Sequence, residues 1–293
     1  MSPTVIGIGA QKCASSWVHS VLGAHPEIGV SDPKELDFFS HYFDHGYQWY
    51  DSHFSDLSGF YARCETSPSY FYDPRAAQRV WDYNKDMKII ALLRDPVERA
   101  YSNHLHEVIK GHIPCQSFEQ GLKNNPAYID QGRYYSHLKP WFSTFGPDQI
   151  LVLIAEEVFA DPAAAAAQLY EFIGVDTGFV SAVASQVRNI SDRARLPGLR
   201  RTLRSSGDLM RRVGLEEQLG RLKSTAPVAS LLRMNSINAR TEVPAMAQAT
   251  RQDLSKEFAP EMVALGGLLK RSAFPWPTWE TLGTDTQQSS SAV

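Results

Sequence analysis

Three short runs of the chain are apolar on both faces, and they predict buried strands. They are TVIGIG at 4–9, MKIIALL at 87–93 and ILVLIA at 150–155. Strands of this kind are typical of a parallel sheet that helices cover on both faces. We therefore expect these runs to lie together in one parallel sheet.

Helical patterns lie between the apolar runs. The first has its large apolar side chains on one side, at Trp17, Val18, Val21 and Leu22. A second helix is expected between Asp95 and Gly111, and a third between Asp161, a typical N-cap, and Gly174, a typical residue after a helix end. Strands that alternate with helices predict an α/β fold of three layers, in which helices flank a central parallel sheet.

Two regions interrupt this alternation. Residues 31–86 hold fifteen aromatic residues, with ten Asp or Glu against five Lys or Arg, and predict a long, partly irregular excursion between the first strand and a later one. Its aromatic side chains either bind an acceptor or, in the commoner case, fill the core. Residues 191–240 hold eleven Lys or Arg against four Asp or Glu, which indicates helices whose basic face either meets a ligand or is solvated.

Length and composition limit the kinds of protein that this chain can be. Its 293 residues predict a single domain over 1–282 and a disordered tail at 283–293. The formal net charge of −3 excludes a basic surface over the whole chain, so no nucleic-acid partner is expected. No apolar run approaches the roughly 20 residues that span a bilayer, so we expect no transmembrane segment.

The cysteines and histidines do not form a metal-binding pattern. Cys13, Cys64 and Cys115 are odd in number and widely spaced, which argues against a disulfide framework and favours the cytoplasm. The histidines lack a zinc-like spacing to other ligands. We expect a protein without a metal ion.

The stretch GAQKCASSWVHS, directly after the first apolar run, has the parts of a phosphate-binding turn. A strand that passes through a short turn into a helix points several backbone N–H groups at one place, where anions bind. Lys12 adds a positive charge, Ser15 and Ser16 add hydroxyl donors, and Trp17 offers a flat face to a base. The stretch lacks the G-K-[ST] of an ATP-binding P-loop. Taken alone, an ordinary capped turn with a surface lysine explains it equally well.

A second stretch points to a second anion. The strand at 87–93 leads directly to Arg94, and Ser102 follows on the next helix. Ligands of parallel α/β sheets gather at the carboxyl ends of the strands, and a guanidinium binds phosphate well. The alternatives are a salt bridge from Arg94 to Asp95 or Glu98, and a solvent-facing Ser102.

Together these stretches resemble the sulfotransferases that use 3′-phosphoadenosine 5′-phosphosulfate (PAPS), in particular their bacterial and carbohydrate-type branches. QKCASS is similar to the element P/Q-K-x-G-T-T, which grips the 5′-phosphosulfate, and RDPVERAYS is similar to R-[DN]-P-x-x-R-x-x-S, which grips the 3′-phosphate. HPEIGVSDPKELDFF, CETSPSYFYDP and GRYYSHLKPWFSTFGPDQILVLIAEEVFADP match further family elements in the family's order. The likeness covers residues 4 to about 176 and implies a P-loop-like α/β fold.

The resemblance implies which residues bind PAPS, the co-substrate. The family's glycine is Ala14 here and its threonines are serines, so we expect the hydroxyl donors to be kept and the methyl group of Ala14 to crowd the backbone slightly. The segment NISDRARLPG is similar to a late loop that closes over the nucleotide in the family, and Arg193 is the candidate residue in it. The full set implied to bind PAPS is Ala10, Gln11, Lys12, Cys13, Ala14, Ser15, Ser16, Trp17, Arg94, Ser102, Tyr134 and Arg193.

The resemblance also implies a reaction, the in-line transfer of a sulfuryl group to a hydroxyl, or else to an amine. Lys12 would stabilise the leaving phosphate and Glu35 would act as general base, while Glu65 is the second candidate for that base or else binds the acceptor. The alternative for Glu35 is an ion pair with Lys34 or Arg75 on a surface loop. Carbohydrate-like, lipid and other small-molecule acceptors stay open. The alternatives are a phosphoryl transferase on a related scaffold and a nucleotide-binding protein without activity.

Overall fold

The apolar runs form the middle of a parallel sheet. In the computed structural model, the sheet within the described residues has five strands in the order β2-β3-β1-β4-β5, and each neighbouring pair is parallel. The strands are β1 (Val5–Gly9), β2 (Ile28–Val30), β3 (Ala62–Thr66), β4 (Lys88–Leu93) and β5 (Ile150–Ile154). Every residue of the central strand β1 is buried. The predicted α/β fold, a central parallel sheet flanked by helices, is confirmed.

The structure describes residues 2–185 and 243–280, together with the backbone of two short strands, β6 (Asp192–Ala194) and β7 (Ser236–Asn238). The described parts of 1–103, 125–188 and 247–293 form one compact unit, which contains the five-stranded sheet. The described parts of 104–124 and 189–246 form a second unit, in which β6 and β7 pair antiparallel. The predicted tail at 283–293 and most of the basic segment at 191–240 lie outside the described residues.

The helices follow the predicted alternation. Asp161 accepts the Ala164 N–H at 3.0 Å and so caps one helix, and Gly174 ends that helix with a left-handed φ of 89°. The described helices are α1 (Ser15–Gly23), α2 (Gly46–Ser52), α3 (Ala76–Tyr83), α4 (Pro96–Lys110), α5 (Phe118–Asn124), α6 (Ala127–Asp130), α7 (Tyr134–Phe145), α8 (Ala155–Ala160), α9 (Pro162–Ile173) and α10 (Gln248–Leu269). Where the structure describes the chain, no helix is long and apolar enough to cross a membrane.

The region 31–86 differs from its prediction, because β3 lies within it and pairs directly with β1. Many of its aromatic rings are core. Phe38 stacks on Tyr50 with ring centroids 4.6 Å apart, and Phe39 meets Tyr50 and Tyr70 edge to face. These four side chains are fully buried. The commoner expectation for aromatic residues, packing, therefore holds for this cluster.

Trp276 and Thr278 pack against the turn between β4 and α4. Asp95 caps α4 by accepting the Val97 and Glu98 N–H groups, and it also accepts the backbone N–H and the hydroxyl of Thr278. Trp276 is buried, and its indole N–H donates to Glu156 at 3.0 Å. These contacts hold the turn that carries Arg94.

Candidate active site

The turn between β1 and α1 has the backbone shape of an anion-binding turn. Lys12 and Ala14 have left-handed φ values of 68° and 71°, and the Ala10 N–H donates to the Leu92 carbonyl of β4 at 2.7 Å. Turns of this type bring successive backbone N–H groups to one concave side, and the first turn of α1 adds its own N–H groups there. We call residues 10–16 the donor turn.

Ala14 has a backbone conformation that the sequence did not indicate. The structure places it in the left-handed region, which glycine adopts without steric strain and alanine does not. Alanine at this position therefore carries a conformational cost at the start of α1, and the predicted crowding by its methyl group stays a prediction.

Lys34 joins the donor turn to Glu35. Its ammonium donates to the Ser15 hydroxyl at 3.3 Å, to the Ser16 hydroxyl at 3.2 Å and to Glu35 Oε1 at 2.9 Å. The predicted anion-binding serines and the predicted base thus accept hydrogen bonds from the same lysine. The sequence analysis did not assign Lys34 to the site, although its place beside Glu35 was a usable signal.

Glu35 is half exposed and pairs with Lys34, which matches one of the alternatives for Glu35. Phe38 and Phe39 follow it in the sequence, but both rings are buried in the aromatic cluster around Tyr50. The carboxyl group of Glu35 therefore lies outside this cluster, half exposed and beside the donor turn.

Arg94 lies at the carboxyl end of β4, the strand beside β1. Because β1 and β4 are parallel, Lys12 and Arg94 follow the same edge of the sheet. An Arg94 Nη lies 3.9 Å from Glu98 Oε2, which matches one of the alternatives for Arg94, and an Arg251 Nη lies 2.6 Å from the other oxygen of Glu98. Glu98 thereby holds two guanidinium groups at this edge. Arg251, on α10, had no local sequence signal.

Tyr134 links the donor turn to the end of β4. Its hydroxyl donates to the Arg94 carbonyl at 2.9 Å and lies 3.7 Å from the sulfur of Cys13. Both side chains are buried, and burial raises the pKa of the Cys13 thiol to about 11. Cys13 is a neutral, packed thiol, and Tyr134 ties the donor turn to the end of β4.

The other predicted PAPS-binding residues have different surroundings. Trp17 is 6% exposed, and its indole N–H donates to the Ala184 carbonyl at 2.9 Å, so it packs as a core residue of α1. Gln11 and Ser102 are partly exposed. Arg193 lies opposite Ile237 in the β6–β7 pair, and its side chain is outside the described residues.

Glu65, the second candidate base, is completely buried at the end of β3. Tyr50 and Tyr70 donate their hydroxyls to its oxygens at 2.8 Å, and Ser67 also donates to it. Burial raises the pKa of Glu65 to about 7, although the three hydroxyls favour the charged form. Ser67 in turn accepts the Asp37 N–H at 2.9 Å, so Glu65 anchors the loop that carries Lys34 and Glu35.

His19, on α1, lies near Lys34, and the sequence analysis did not single it out. Burial, and then the charge of Lys34, lower its pKa. Its Nδ1 is buried and has no hydrogen-bond partner within the described part of the chain. Over the same residues, no group of three or more His, Cys, Asp or Glu is arranged to hold a metal ion.

Comparison with known proteins gives one family. The model of the sulfotransferase domain matches residues 2–202. Heparan sulfate glucosamine 3-O-sulfotransferase 3B1 of Mus musculus is 31% identical over 183 residues, which cover 59% of this chain and 46% of that protein. Bifunctional heparan sulfate N-deacetylase/N-sulfotransferase 1 of Mus musculus is 29% identical over 198 residues, which cover 59% of this chain and 22% of that protein. The chain thus spans half or less of the length of these relatives.

A solved structure has a similar fold. The sulfotransferase from Alicyclobacillus acidocaldarius superposes with a TM-score of 0.69 at 23% identity, covering 93% of this chain and 98% of that one.

Proposed function

This chain belongs to the sulfotransferase domain family, and on that basis we propose that it transfers a sulfuryl group from PAPS to a hydroxyl group of a carbohydrate-like acceptor. The strongest support is the meeting of Lys34 with Ser15, Ser16 and Glu35, which brings a carboxylate beside the donor turn. A base and an anion-binding turn in one place are what sulfuryl transfer requires.

The donor would be held at two ends. The 5′-phosphosulfate would lie in the donor turn, where Lys12, backbone N–H groups and the hydroxyls of Ser15 and Ser16 donate to its oxygens. The 3′-phosphate would lie at the end of β4, on Arg94 and Ser102. Arg251 is a candidate for the same phosphate, since it shares Glu98 with Arg94.

The transfer step would run in line. The acceptor oxygen attacks sulfur and loses its proton to Glu35, while the bond from sulfur to the bridging oxygen of the 5′-phosphate breaks. Lys12 stabilises the charge that develops on the leaving phosphate. The products are a sulfate ester and adenosine 3′,5′-bisphosphate. The transferred group carries its own electrophilic sulfur, so the chain supplies alignment and charge.

Glu35 suits the base better than Glu65 does. Glu35 is half exposed and lies beside the donor turn, so an acceptor molecule can reach it. Glu65 is buried, and hydroxyl groups of Tyr50, Ser67 and Tyr70 occupy its oxygens. We therefore assign Glu65 the role of anchoring the loop.

The class of acceptor is supported by the relatives alone. Two of them are described as acting on heparan sulfate, one at an oxygen and one at a nitrogen. A carbohydrate hydroxyl is our proposal, and a carbohydrate amine is its variant.

The odd number and wide spacing of the cysteines support a reducing compartment, the cytoplasm, as the place of action.

A ligand series tests the donor site. In a thermal-shift titration, adenosine 3′,5′-bisphosphate is expected to raise the melting temperature well beyond AMP or ATP at equal concentration, because it has a phosphate for each end of the site. Equal shifts by ATP would favour a phosphoryl transferase. A bisphosphate shift without sulfate transfer from labelled PAPS to any of a set of sugars, lipids, phenols and amines would favour a nucleotide-binding protein without activity.

A further inference from the structure

Lys34 is surrounded by the parts of the site that must act together. Its ammonium donates to three acceptors in the described chain, and these are the Ser15 hydroxyl, the Ser16 hydroxyl and Glu35 Oε1. Its side chain is 22% exposed, against 50% for that of Glu35. An ammonium has three N–H donors, so these contacts use all of them.

Each serine hydroxyl accepts a hydrogen bond from Lys34 through its oxygen. A hydroxyl that accepts in this way keeps its own hydrogen available, and a neighbouring cation makes that hydrogen a stronger donor. The geometry therefore favours Ser15 and Ser16 as donors to an anion in the turn.

The position of Lys34 also concerns charge. An anionic donor and the carboxylate of Glu35 repel each other when they approach, and repulsion of this kind weakens donor binding. Lys34 lies between the two serines of the donor turn and Glu35, so it offsets this repulsion. Burial, and then the charge of Lys34, lower the pKa of His19, which favours its neutral form.

We propose that Lys34 is a positioning residue for sulfuryl transfer, which orients the hydroxyls of Ser15 and Ser16 toward the donor and holds Glu35 beside it. The role of Glu35 in this inference rests on the proposed function. The action on the serines concerns anion binding alone, and it is testable without turnover.

The loop that carries Lys34 has anchors that do not involve the ammonium. The Asp37 N–H donates to Ser67 at 2.9 Å, and Ser67 donates to the buried Glu65. The Ser31 hydroxyl donates to the Lys34 carbonyl at 3.4 Å. A neutral side chain of similar length at position 34 is therefore expected to leave the loop and the fold in place.

The first test compares Lys34→Met with Lys34→Arg. Lys34→Met is expected to lower kcat tenfold or more with less than a threefold change in the KM of the acceptor, and Lys34→Arg is expected to recover a large part of kcat, since a guanidinium also donates to hydroxyls and carboxylates. Lys256→Met, at an exposed position of α10, is the matched control and is expected to change neither constant. A full kcat in Lys34→Met would overturn the proposal.

The second test is a binding cycle that needs no turnover. The affinity for adenosine 3′,5′-bisphosphate is measured for wild type, Lys34→Met, the double variant Ser15→Ala/Ser16→Ala, and the combination of all three changes. Because Lys34 acts through the serines, the combined loss is expected to be clearly smaller than the product of the separate losses. Losses that multiply independently contradict this role.

The outcomes separate the two proposals. A wild type that binds the bisphosphate but transfers sulfate to no acceptor refutes the proposed function, while the cycle still decides on Lys34 and the serines. A wild type that does not bind the bisphosphate refutes both.

Discussion

At the scale of the single residue, Glu65 shows how an ionisable group can be buried at the end of a strand. Its carboxyl is buried at the end of β3, and three hydroxyl groups, from Tyr50, Ser67 and Tyr70, point at its two oxygens. Burial disfavours the charged form of the carboxyl, and the hydroxyl donors favour it. Burial has the larger effect, so the pKa of Glu65 rises to about 7.

This shift gives a prediction for stability against pH. In the unfolded chain Glu65 ionises near its usual pKa of about 4.5, whereas in the folded protein it keeps its proton until about pH 7. Between these values the folded state binds more protons, so the contribution of Glu65 to the free energy of unfolding falls as pH rises and is constant above about pH 8. The full difference is of order 3 kcal/mol.

Denaturant unfolding of wild type and Glu65→Gln at pH 5, 6, 7 and 8 measures this contribution. The free energy of unfolding of wild type relative to the variant is expected to fall across this range. Glu171→Gln, on the exposed face of α9, is the control and is expected to leave the pH dependence of wild type unchanged. Parallel curves for wild type and Glu65→Gln would mean that Glu65 is ionised throughout.

At the scale of the element, the sequence was sufficient for the strands that are apolar throughout. β1, β4 and β5 end within about one residue of their predicted bounds, because burial on both faces leaves an unbroken apolar run. β3 could not be found in this way, since it carries Arg63 and Glu65, and only the folded protein brings the hydroxyls that make a buried Glu65 acceptable. β2 has three residues, too few for a pattern.

The same division applies to the candidate site. The elements with local motifs, the donor turn and the β4–α4 turn, lie where the sequence predicts them, whereas the binding roles of Lys12, Ser15, Ser16 and Arg94 stay predictions. Contacts between distant segments could not, and the pairing of Arg251 with Glu98 is one of these. The methyl group of Ala14 was visible in the sequence, but its left-handed backbone was not.

The start of α1 carries the next prediction. Alanine in the left-handed conformation costs roughly 1–2 kcal/mol, while glycine costs about 0.4–1 kcal/mol through the entropy of the unfolded chain. Ala14→Gly is therefore expected to leave the free energy of unfolding unchanged or to raise it by up to about 1.5 kcal/mol. Thermal or denaturant unfolding measures this.

Ala167→Gly, in the middle of α9, is the matched control for the same chemical change. There the backbone is helical, and the substitution is expected to cost about 0.5–1 kcal/mol. If Ala14→Gly loses as much as Ala167→Gly, then Ala14 is not strained in solution.

At the scale of the whole molecule, the order of the elements is what makes two short motifs into one site. β1 and β4 are neighbours in the sheet although 78 residues separate Gly9 from Lys88. Parallel neighbours end at the same edge, so a turn after β1 and a turn after β4 can hold the two ends of one ligand. Tyr134 fixes the spacing between them through Cys13 and the Arg94 carbonyl.

If the site has two ends, then removing the cation at one end is expected to weaken only the nucleotides that carry the phosphate bound at that end. Lys12→Ala is expected to weaken binding of 5′-AMP and of adenosine 3′,5′-bisphosphate, and to leave 3′-AMP nearly unchanged. Arg94→Ala is expected to weaken 3′-AMP and the bisphosphate and to leave 5′-AMP nearly unchanged. Each lost charge-assisted contact is worth about 1.5–3 kcal/mol, which is roughly a ten- to hundredfold change in Kd.

Isothermal titration of the three nucleotides against wild type, Lys12→Ala, Arg94→Ala and the exposed control Lys256→Ala gives the full comparison. Glu98 competes with the phosphate for Arg94, so the Arg94→Ala loss is expected at the lower end of that range. If both variants weaken all three nucleotides equally, then the two turns do not hold opposite ends of the ligand. In that case Lys12 and Arg94 act on the same part of the nucleotide, and their assignment to separate phosphates is wrong.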